Sequence, residues 1–145
     1  MQVTLETNAA NYRIHAYEAG QITVAVPKAL EPVPDDHVDN SAGLSLWRDT
    51  LNHSLVVCPE QLIRNWGADQ LTELEPHHFK QLIDLNIEIL LFGSGKSLQR
   101  PSESMLSDLY SAGIGVEIMD TGAACRTFNI LMNDGRRVAA ALLII

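Results

Sequence analysis

Two short segments of this sequence contain the residue types that carry chemistry in proteins. "FGSGKS", at positions 92–97, ends an apolar run with two glycines, two serines and a lysine, a composition typical of loops that bind nucleotide phosphates. "MDTGAACR", at positions 119–126, combines a carboxylate, a hydroxyl, a thiol and a guanidinium. Each segment is therefore a candidate for a ligand-binding or catalytic site.

The first segment lacks the spacing that a phosphate-binding loop requires. Such a loop needs an earlier glycine where the backbone begins to curl around the phosphates, and Leu90 occupies that position. A dinucleotide-binding turn would need glycine or alanine where Leu98 stands. The next helix is predicted to begin near Pro101, too late for its first amides to reach a phosphate. We therefore interpret the segment as a strand-to-helix turn in which Gly93 and Gly95 adopt positive φ angles.

The second segment is consistent with an anion-binding or thiol site. Asp120 lies at the end of a predicted strand, and Thr121 is a suitable N-cap, whose hydroxyl would accept a hydrogen bond from an amide of the first helical turn. Such amides bind anions, and Arg126 would add a fixed positive charge. Cys125 lies near the same positive helix end, which favours the thiolate of an exposed cysteine. Asp120 and Cys125 are the candidates for catalysis.

The periodicity of the second segment also fits a purely structural role. Cys125 lies beside an apolar helical stripe, and a cysteine buried there would be inert. His77 and His78 are adjacent, so they point to different sides of a helix and lack metal-chelating spacing. We therefore expect neither a metal nor a cofactor, and the choice between a core thiol and a reactive thiol stays open. The stripe consists of Ala124, Phe128 and Leu131.

Alternating elements position these two segments. After position 53, short apolar strands alternate with segments of helical period, which indicates an α/β fold whose mixed, mainly parallel central sheet is flanked by helices. A chain of 145 residues is long enough for one core, so we expect a single domain over 1–145. The predicted strands are 54–59, 87–92, 116–119 and 137–145, and the predicted helices are 76–85, 101–113 and 121–133.

The N-terminal region predicts an additional β layer. Residues 12–26 alternate between apolar and polar, which predicts a hairpin that buries Tyr12, Ile14 and Ala16 on one face. His15 falls on the opposite face, where we expect it to be solvated and give it no role. Residues 29–52 contain two prolines and several aspartates, so we expect a long connection with a short strand around positions 44–47.

The composition limits the classes of partner. The formal net charge of −8 repels phosphate backbones and anionic lipid heads, so we expect neither nucleic-acid binding nor membrane insertion. The first residues contain no basic segment followed by an apolar one, so we expect a cytoplasmic protein. Cys58 and Cys125 lie far apart in sequence, and we expect both to be reduced.

The two segments and their surroundings are similar to a known family. "FGSGKS", together with residues 113–143, resembles the Mth938-like domain family, also called DUF498. This resemblance implies a layered α/β domain with a mixed sheet and an extra β layer. It also implies relatedness to a mitochondrial assembly factor for respiratory complex I, although the bacterial members have no settled activity. The family's turn corresponds to Gly93 and Gly95, and its helix start to Asp120, Thr121, Ala124, Cys125, Arg126, Thr127 and Asn129.

Two functions follow as hypotheses. The first, by resemblance, is a non-enzymatic interaction or assembly factor whose partners include respiratory complex subunits. The second is a binding protein or enzyme for a small anionic ligand, with a site at the carboxyl ends of the strands, where such folds usually bind ligands. That site would combine Gly93, Ser94, Gly95, Lys96, Thr121 and Arg126 as ligand-binding residues, with Asp120 and Cys125 available for chemistry.

Overall fold

The computed structural model describes residues 10–37 and 43–145. These residues form eight strands, three α-helices and two short 3-10 segments, Leu71–Glu73 and Gln81–Leu85. The strands are β1 (Arg13–Glu18), β2 (Gln21–Pro27), β3 (Leu46–Leu51), β4 (Leu55–Cys58), β5 (Gln61–Ile63), β6 (Ile89–Gly93), β7 (Gly115–Met119) and β8 (Val138–Leu142). The helices are α1 (Pro76–Lys80), α2 (Glu103–Ser111) and α3 (Thr121–Asn133).

The central sheet has five strands in the order β5-β4-β8-β6-β7. β6 pairs in parallel with β7 and β8, whereas β4 pairs antiparallel with β8 and β5. The predicted mixed sheet flanked by helices is therefore confirmed, with parallel and antiparallel pairings in equal number. All five residues of β8 are buried, because this apolar strand lies in the middle of the sheet and is covered on both faces.

Each face of the central sheet is covered by a different layer. The side chains of α1 and α2 form one apolar cluster with one face, and Phe79, Phe92 and Leu106 are among its buried members. On the other face lie α3 and the three-stranded antiparallel sheet β1-β2-β3, and Trp47 and Phe128 are buried between the layers. The predicted hairpin is thus confirmed as part of an additional β layer.

A β-bulge changes the predicted alternation of the hairpin. Ile14 pairs with Val24 and Ala16 pairs with Thr23, so β1 has one extra residue, His15, at this point. The bulge reverses the phase of the side chains that follow, because each added residue turns the next one to the opposite face. The prediction that Ala16 is buried is therefore wrong: Ala16 is exposed, and Tyr17 is half-buried instead.

The predicted connection over 29–52 contains a full strand. β3 lies later and is longer than the short strand predicted around 44–47, and it pairs with β2 from Leu46 to Leu51. Its alternation is hidden in the sequence because the charged Arg48 and Asp49 stand side by side within it, whereas Trp47 supplies its buried anchor. The Trp47 indole donates a hydrogen bond to the Glu31 carbonyl at 2.9 Å. Residues 38–42 of the predicted connection lie outside the described residues.

The helix bounds agree with the sequence to different degrees. α3 has the predicted bounds, but α1 ends at Lys80 and continues only as a 3-10 segment that Asn86 ends at φ 56°. α2 begins at Glu103, so Pro101 lies before the helix and not at its first position. β6 begins two residues later than predicted and ends at Gly93. Among the described helices, none is long and apolar enough to cross a membrane.

Asn129 joins α3 to the edge of the three-stranded sheet. Its side-chain oxygen accepts a hydrogen bond from the Ile14 amide at 2.9 Å, and its side-chain amide donates to the Ile14 carbonyl at 2.8 Å. The side chain therefore pairs with β1 much as a neighbouring strand would. This contact fixes the position of α3 relative to the added β layer.

Substitution of Asn129 by Ala tests this contact. Both backbone groups of Ile14 lose their side-chain partner in a half-buried position, so we expect the free energy of unfolding to fall by about 1–2 kcal/mol. Urea denaturation followed by circular dichroism measures the change. Asn133→Ala, an exposed position on the same helix, is the matched control and should differ from the original chain by no more than about 0.5 kcal/mol. Equal stability of the two variants would contradict this role for Asn129.

Candidate functional site

The two segments singled out in the sequence meet at the carboxyl ends of β6 and β7. The Ser94 amide donates to the Met119 carbonyl at 2.9 Å, and the Thr121 amide donates to the Gly95 carbonyl at 2.9 Å. Adjacent parallel strands end at the same edge of a sheet, so their strand-to-helix loops lie side by side. The sequence-based expectation that these loops are neighbours is therefore met, and the position of each side chain decides what they do.

The Thr121 hydroxyl joins three segments of the chain. It accepts a hydrogen bond from the Gly95 amide at 2.8 Å and donates one to the Leu143 carbonyl at 2.7 Å. The side chain is fully buried. We call this contact between the ends of β6 and β8 and the start of α3 the Thr121 junction. Because the single hydroxyl proton is already donated within the protein, it is not available to a ligand.

The residue that caps α3 is Asp120, not Thr121. The Asp120 carboxylate accepts a hydrogen bond from the Ala123 amide at 2.9 Å, and its backbone is extended as in other N-cap residues. Thr121 is the first helical residue, and its hydroxyl turns away from the helix toward the Gly95 amide. The prediction that Thr121 is the N-cap is therefore wrong. The positive pole of the helix dipole also stabilises a carboxylate at this end of the helix.

The two glycines of the turn serve different purposes. Gly95 adopts φ 101°, as predicted, and this angle suits glycine. Gly93 is the last residue of β6 and does not have the positive φ that we predicted for it. Instead, neighbouring atoms fill the space that a side chain would need: an added Cβ would lie 3.0 Å from the Thr121 Cα and 2.9 Å from the Leu142 Cδ2. Glycine at this position allows α3 to approach the central sheet closely.

Ser94 is buried and shapes the turn from within. Its hydroxyl donates to the Ser97 carbonyl at 2.7 Å and accepts from the Gln99 amide at 2.9 Å. These contacts hold the chain in a tight loop between β6 and α2. Lys96 at the tip of this loop is exposed, and its ammonium group has no hydrogen bond or ion pair with another described residue.

A surface cavity of about 420 Å³ lies beside the Thr121 junction. Ser94, Gly95 and Lys96 line one side of it, and Asp69 lines another. A hydrogen bond from the Ser54 amide, helped by His53, holds the pKa of Asp69 below its usual range. The cavity therefore carries a carboxylate as well as the Lys96 ammonium, and its local charge gives an anion little preference.

Arg126 lies away from this cavity, on the side of the added β layer. Its guanidinium donates a hydrogen bond to the Tyr17 hydroxyl and lies 6.0 Å from the centre of that ring. The Tyr17 ring packs so closely on α3 that a Cβ added at Gly122 would lie 2.9 Å from it. Arg126 is not among the residues that line the cavity with Lys96, so the predicted pairing of these two cations around one ligand is not formed.

Both cysteines are free and buried. Cys125 is 1% exposed and faces the cluster between the central sheet and the added β layer. Burial raises the pKa of the Cys125 thiol to about 12, against the opposing charge of Arg126 and with a smaller contribution in the same direction from Asp120. Burial also raises the pKa of Cys58 to about 12. The geometry supports the interpretation of Cys125 as a core thiol.

A second cavity, of about 540 Å³, lies where β6 and β8 begin, at the opposite end of the central sheet. Arg136 forms an ion pair with Glu88 at 2.8 Å, and the Arg137 guanidinium donates to the Asn86 side chain at 3.1 Å. The dibasic pair that follows the Asp134–Gly135 turn is the sequence signal for this region. Within residues 10–37 and 43–145, no group of three or more His, Cys, Asp or Glu side chains could hold a metal ion.

The buried thiols give a direct prediction. A buried thiol with a pKa near 12 is almost entirely protonated at pH 8, so we expect Ellman's reagent to modify neither cysteine of the folded chain within minutes. Both should react at once in concentrated guanidinium chloride. Cys58→Ala and Cys125→Ala variants assign any residual reaction to one thiol. Rapid modification of Cys125 in the folded chain would contradict its core role.

Substitution of Thr121 by Val tests the junction. Valine keeps the shape of the side chain but leaves the buried Gly95 amide and Leu143 carbonyl without the hydroxyl, so we expect the free energy of unfolding to fall by about 2–4 kcal/mol. Urea denaturation measures the change. Thr127→Val, a half-buried position on the same helix whose hydroxyl has no described hydrogen bond, is the matched control. A loss in Thr121→Val no larger than in this control would show that the junction contributes little.

Comparison with known proteins agrees with this architecture. A relative from Danio rerio, NADH dehydrogenase [ubiquinone] 1 alpha subcomplex assembly factor 3, is 32% identical over 102 residues, which cover 70% of this chain and 59% of that protein. The chain thus spans less than two thirds of the length of this relative. The crystal structure of a Bordetella parapertussis protein has a TM-score of 0.73 and 30% identity, and the match covers 94% of this chain and 98% of that one.

A second solved structure, of a Bordetella pertussis protein, is described as a Mth938-like domain. It has a TM-score of 0.68 and 26% identity, and the match covers 94% of this chain and 87% of that one. The model of the family described as Protein of unknown function (DUF498/DUF598) matches residues 40–143. Because this match spans most of the 145 residues and includes the Thr121 junction, the chain belongs to the DUF498/DUF598 family.

Proposed function

We propose that this chain is a protein-binding assembly factor that acts without catalysing a reaction. The observation that carries the proposal is its similarity to the Danio rerio protein whose name states that it is an assembly factor of the NADH dehydrogenase 1 alpha subcomplex. We extend this role to the present chain, and propose subunits of a respiratory complex as its partners. The proposal concerns the shared part, because the relative is longer than the region that it shares with this chain.

The reactive side chains at the strand ends are engaged within the protein, which supports a binding role over a catalytic one. The Asp120 carboxylate caps α3, and the Thr121 hydroxyl is occupied as both donor and acceptor. The Cys125 thiol is buried and has a raised pKa. An enzyme needs its acid, base or nucleophile exposed to the substrate with a suitable pKa, and these three groups are occupied in holding the structure together.

A small anionic ligand at the strand ends is the second candidate function. The cavity beside Ser94, Gly95 and Lys96 favours it, since this cavity is concave and one cation lines it. Against it, Asp69 contributes a negative charge to the same cavity, and Arg126 is engaged by Tyr17 elsewhere. We therefore rank it below the assembly role. The cytoplasmic location stays a prediction that fractionation of the source cell would test.

Cross-linking in the source cell tests the proposed function. The tagged chain should form specific cross-links to subunits of a respiratory complex, identified by mass spectrometry, and deletion of its gene should leave partly assembled complexes on native gels. Cross-links to the chain itself alone, or normal assembly in the deletion strain, would contradict the proposal.

A Cys125→Ala variant separates assembly from thiol catalysis in the same strain. The buried thiol has no catalytic task in the proposed function, so the variant should restore assembly to the level of the original chain as long as its thermal melting shows that it folds. A folded variant that fails to restore assembly would favour an enzyme. The exposed Ser107→Ala substitution on α2 provides the matched control for expression and tagging.

A further inference from the structure

We propose that the outer face of the three-stranded sheet binds an acidic segment of a protein partner, in which carboxylates alternate with apolar side chains. This inference rests on the proposed protein-binding function and assigns a surface to it. The face is the side of β1-β2-β3 that points away from the central sheet, and we call it the cationic face. It is defined by Arg13, His15 and Arg48.

Strand register brings the positive groups together. Arg13 pairs with Ala25, and Ala25 pairs with Arg48 on its other side, so the two arginines flank one small residue in a row across the sheet. Residues directly opposite each other in an antiparallel sheet point to the same face. His15 in the bulge of β1 is exposed next to them. These side chains line a shallow cavity of about 220 Å³ together with Ile14, Leu44 and Leu46.

The two arginines of this face are not neutralised within the described part of the chain. Neither guanidinium forms an ion pair or hydrogen bond with another described residue. Asp49, which follows Arg48 in β3, is held by Arg64 at 2.8 Å, and the same guanidinium binds Glu31 at 2.9 Å. The cationic face is therefore a local positive surface on a chain whose formal net charge is −8.

His15 lines the same cavity as the two arginines and lies within reach of their charges. Partial burial lowers the pKa of His15, and the charges of Arg48 and then Arg13 lower it further. Like charges held together on a sheet repel, and a carboxylate placed between them removes that repulsion. The face is thus electrostatically complementary to an acidic partner, which favours fast and specific association.

The size and rim of the cavity favour a protein segment over a small molecule. A volume of about 220 Å³ is below the roughly 300–1,000 Å³ of typical small-molecule pockets but sufficient for one or two side chains. Leu44 is 61% exposed beside the arginines and offers apolar contact to a residue next to the carboxylate. Nucleic acid is disfavoured because the rest of the chain is acidic.

Titration with synthetic peptides, followed by amide chemical shifts, tests the proposal. The probe is a peptide in which Glu alternates with Leu, and the control peptide has Lys in place of Glu. We expect the Glu peptide to change the amide chemical shifts of Ala25, Arg48 and their neighbours, and to bind more weakly as salt is added. The Lys peptide should leave these chemical shifts unchanged. Shifts confined to another surface would overturn the proposal.

Charge reversal provides the quantitative test. The Arg13→Glu/Arg48→Glu variant should bind the Glu peptide at least about tenfold more weakly. The matched control, Lys80→Glu/Arg100→Glu, changes the net charge equally at exposed positions outside the face and should bind within about twofold of the original chain. An equal loss in both variants, or none in the first, would overturn the proposal. If the first variant does not fold, the chemical shifts of the original chain decide.

Two further measurements separate the outcomes. Inorganic phosphate or phosphatidylserine vesicles that reproduce the same chemical shifts would overturn the assignment to a protein segment. The Arg13→Glu/Arg48→Glu variant should also lose the cross-links of the original chain in the source cell. If it keeps them, the cationic face is not the docking surface while the assembly role stands; if the original chain forms none, the assembly role fails, and the peptide titration still decides the face.

Discussion

The candidate site depends on the two hydrogen bonds of the buried Thr121 hydroxyl. The hydroxyl satisfies a donor from the loop after β6 and an acceptor after β8, two groups that would otherwise be left unpaired at the edge of the core. For the hydroxyl to reach both, α3 has to begin almost in contact with β6, and Gly93 makes that approach possible. The glycine, the threonine and the apolar strand β8 therefore form one geometric unit.

This unit explains why a segment that resembles a phosphate-binding loop binds its own chain. In a nucleotide-binding loop, backbone amides point into an open nest where the phosphates sit. Here the Gly95 amide points at Thr121, and the Ser94 amide points at the Met119 carbonyl. The Ala123 amide of α3, which could have bound an anion, is taken by Asp120. The same residue types thus stabilise the strand ends through neutral, internal hydrogen bonds.

The sequence predicted local elements well and long-range geometry poorly. α3 was predicted with its observed bounds because an apolar period of 3.6 residues, a suitable cap and an Asp-Gly stop all agree. The bulge at His15 and the full extent of β3 were missed because both depend on pairing with β2, which no local pattern encodes. For the same reason, the neighbouring loops could be predicted from the alternation of elements, whereas the separation of Lys96 from Arg126 and the clustering of Arg13 with Arg48 could not.

The contact between Asn129 and Ile14 has a consequence for the order of folding. The two residues are 115 positions apart, so β1 is synthesised long before the side chain that completes its hydrogen bonds. The N-terminal strands therefore emerge from the ribosome before α3 can pair with the edge of β1 or cover their apolar face. Closure of such a distant contact is slow compared with local helix formation. We expect the added β layer to dock late, once α3 has formed, and the nascent N-terminal strands to depend on chaperones until then.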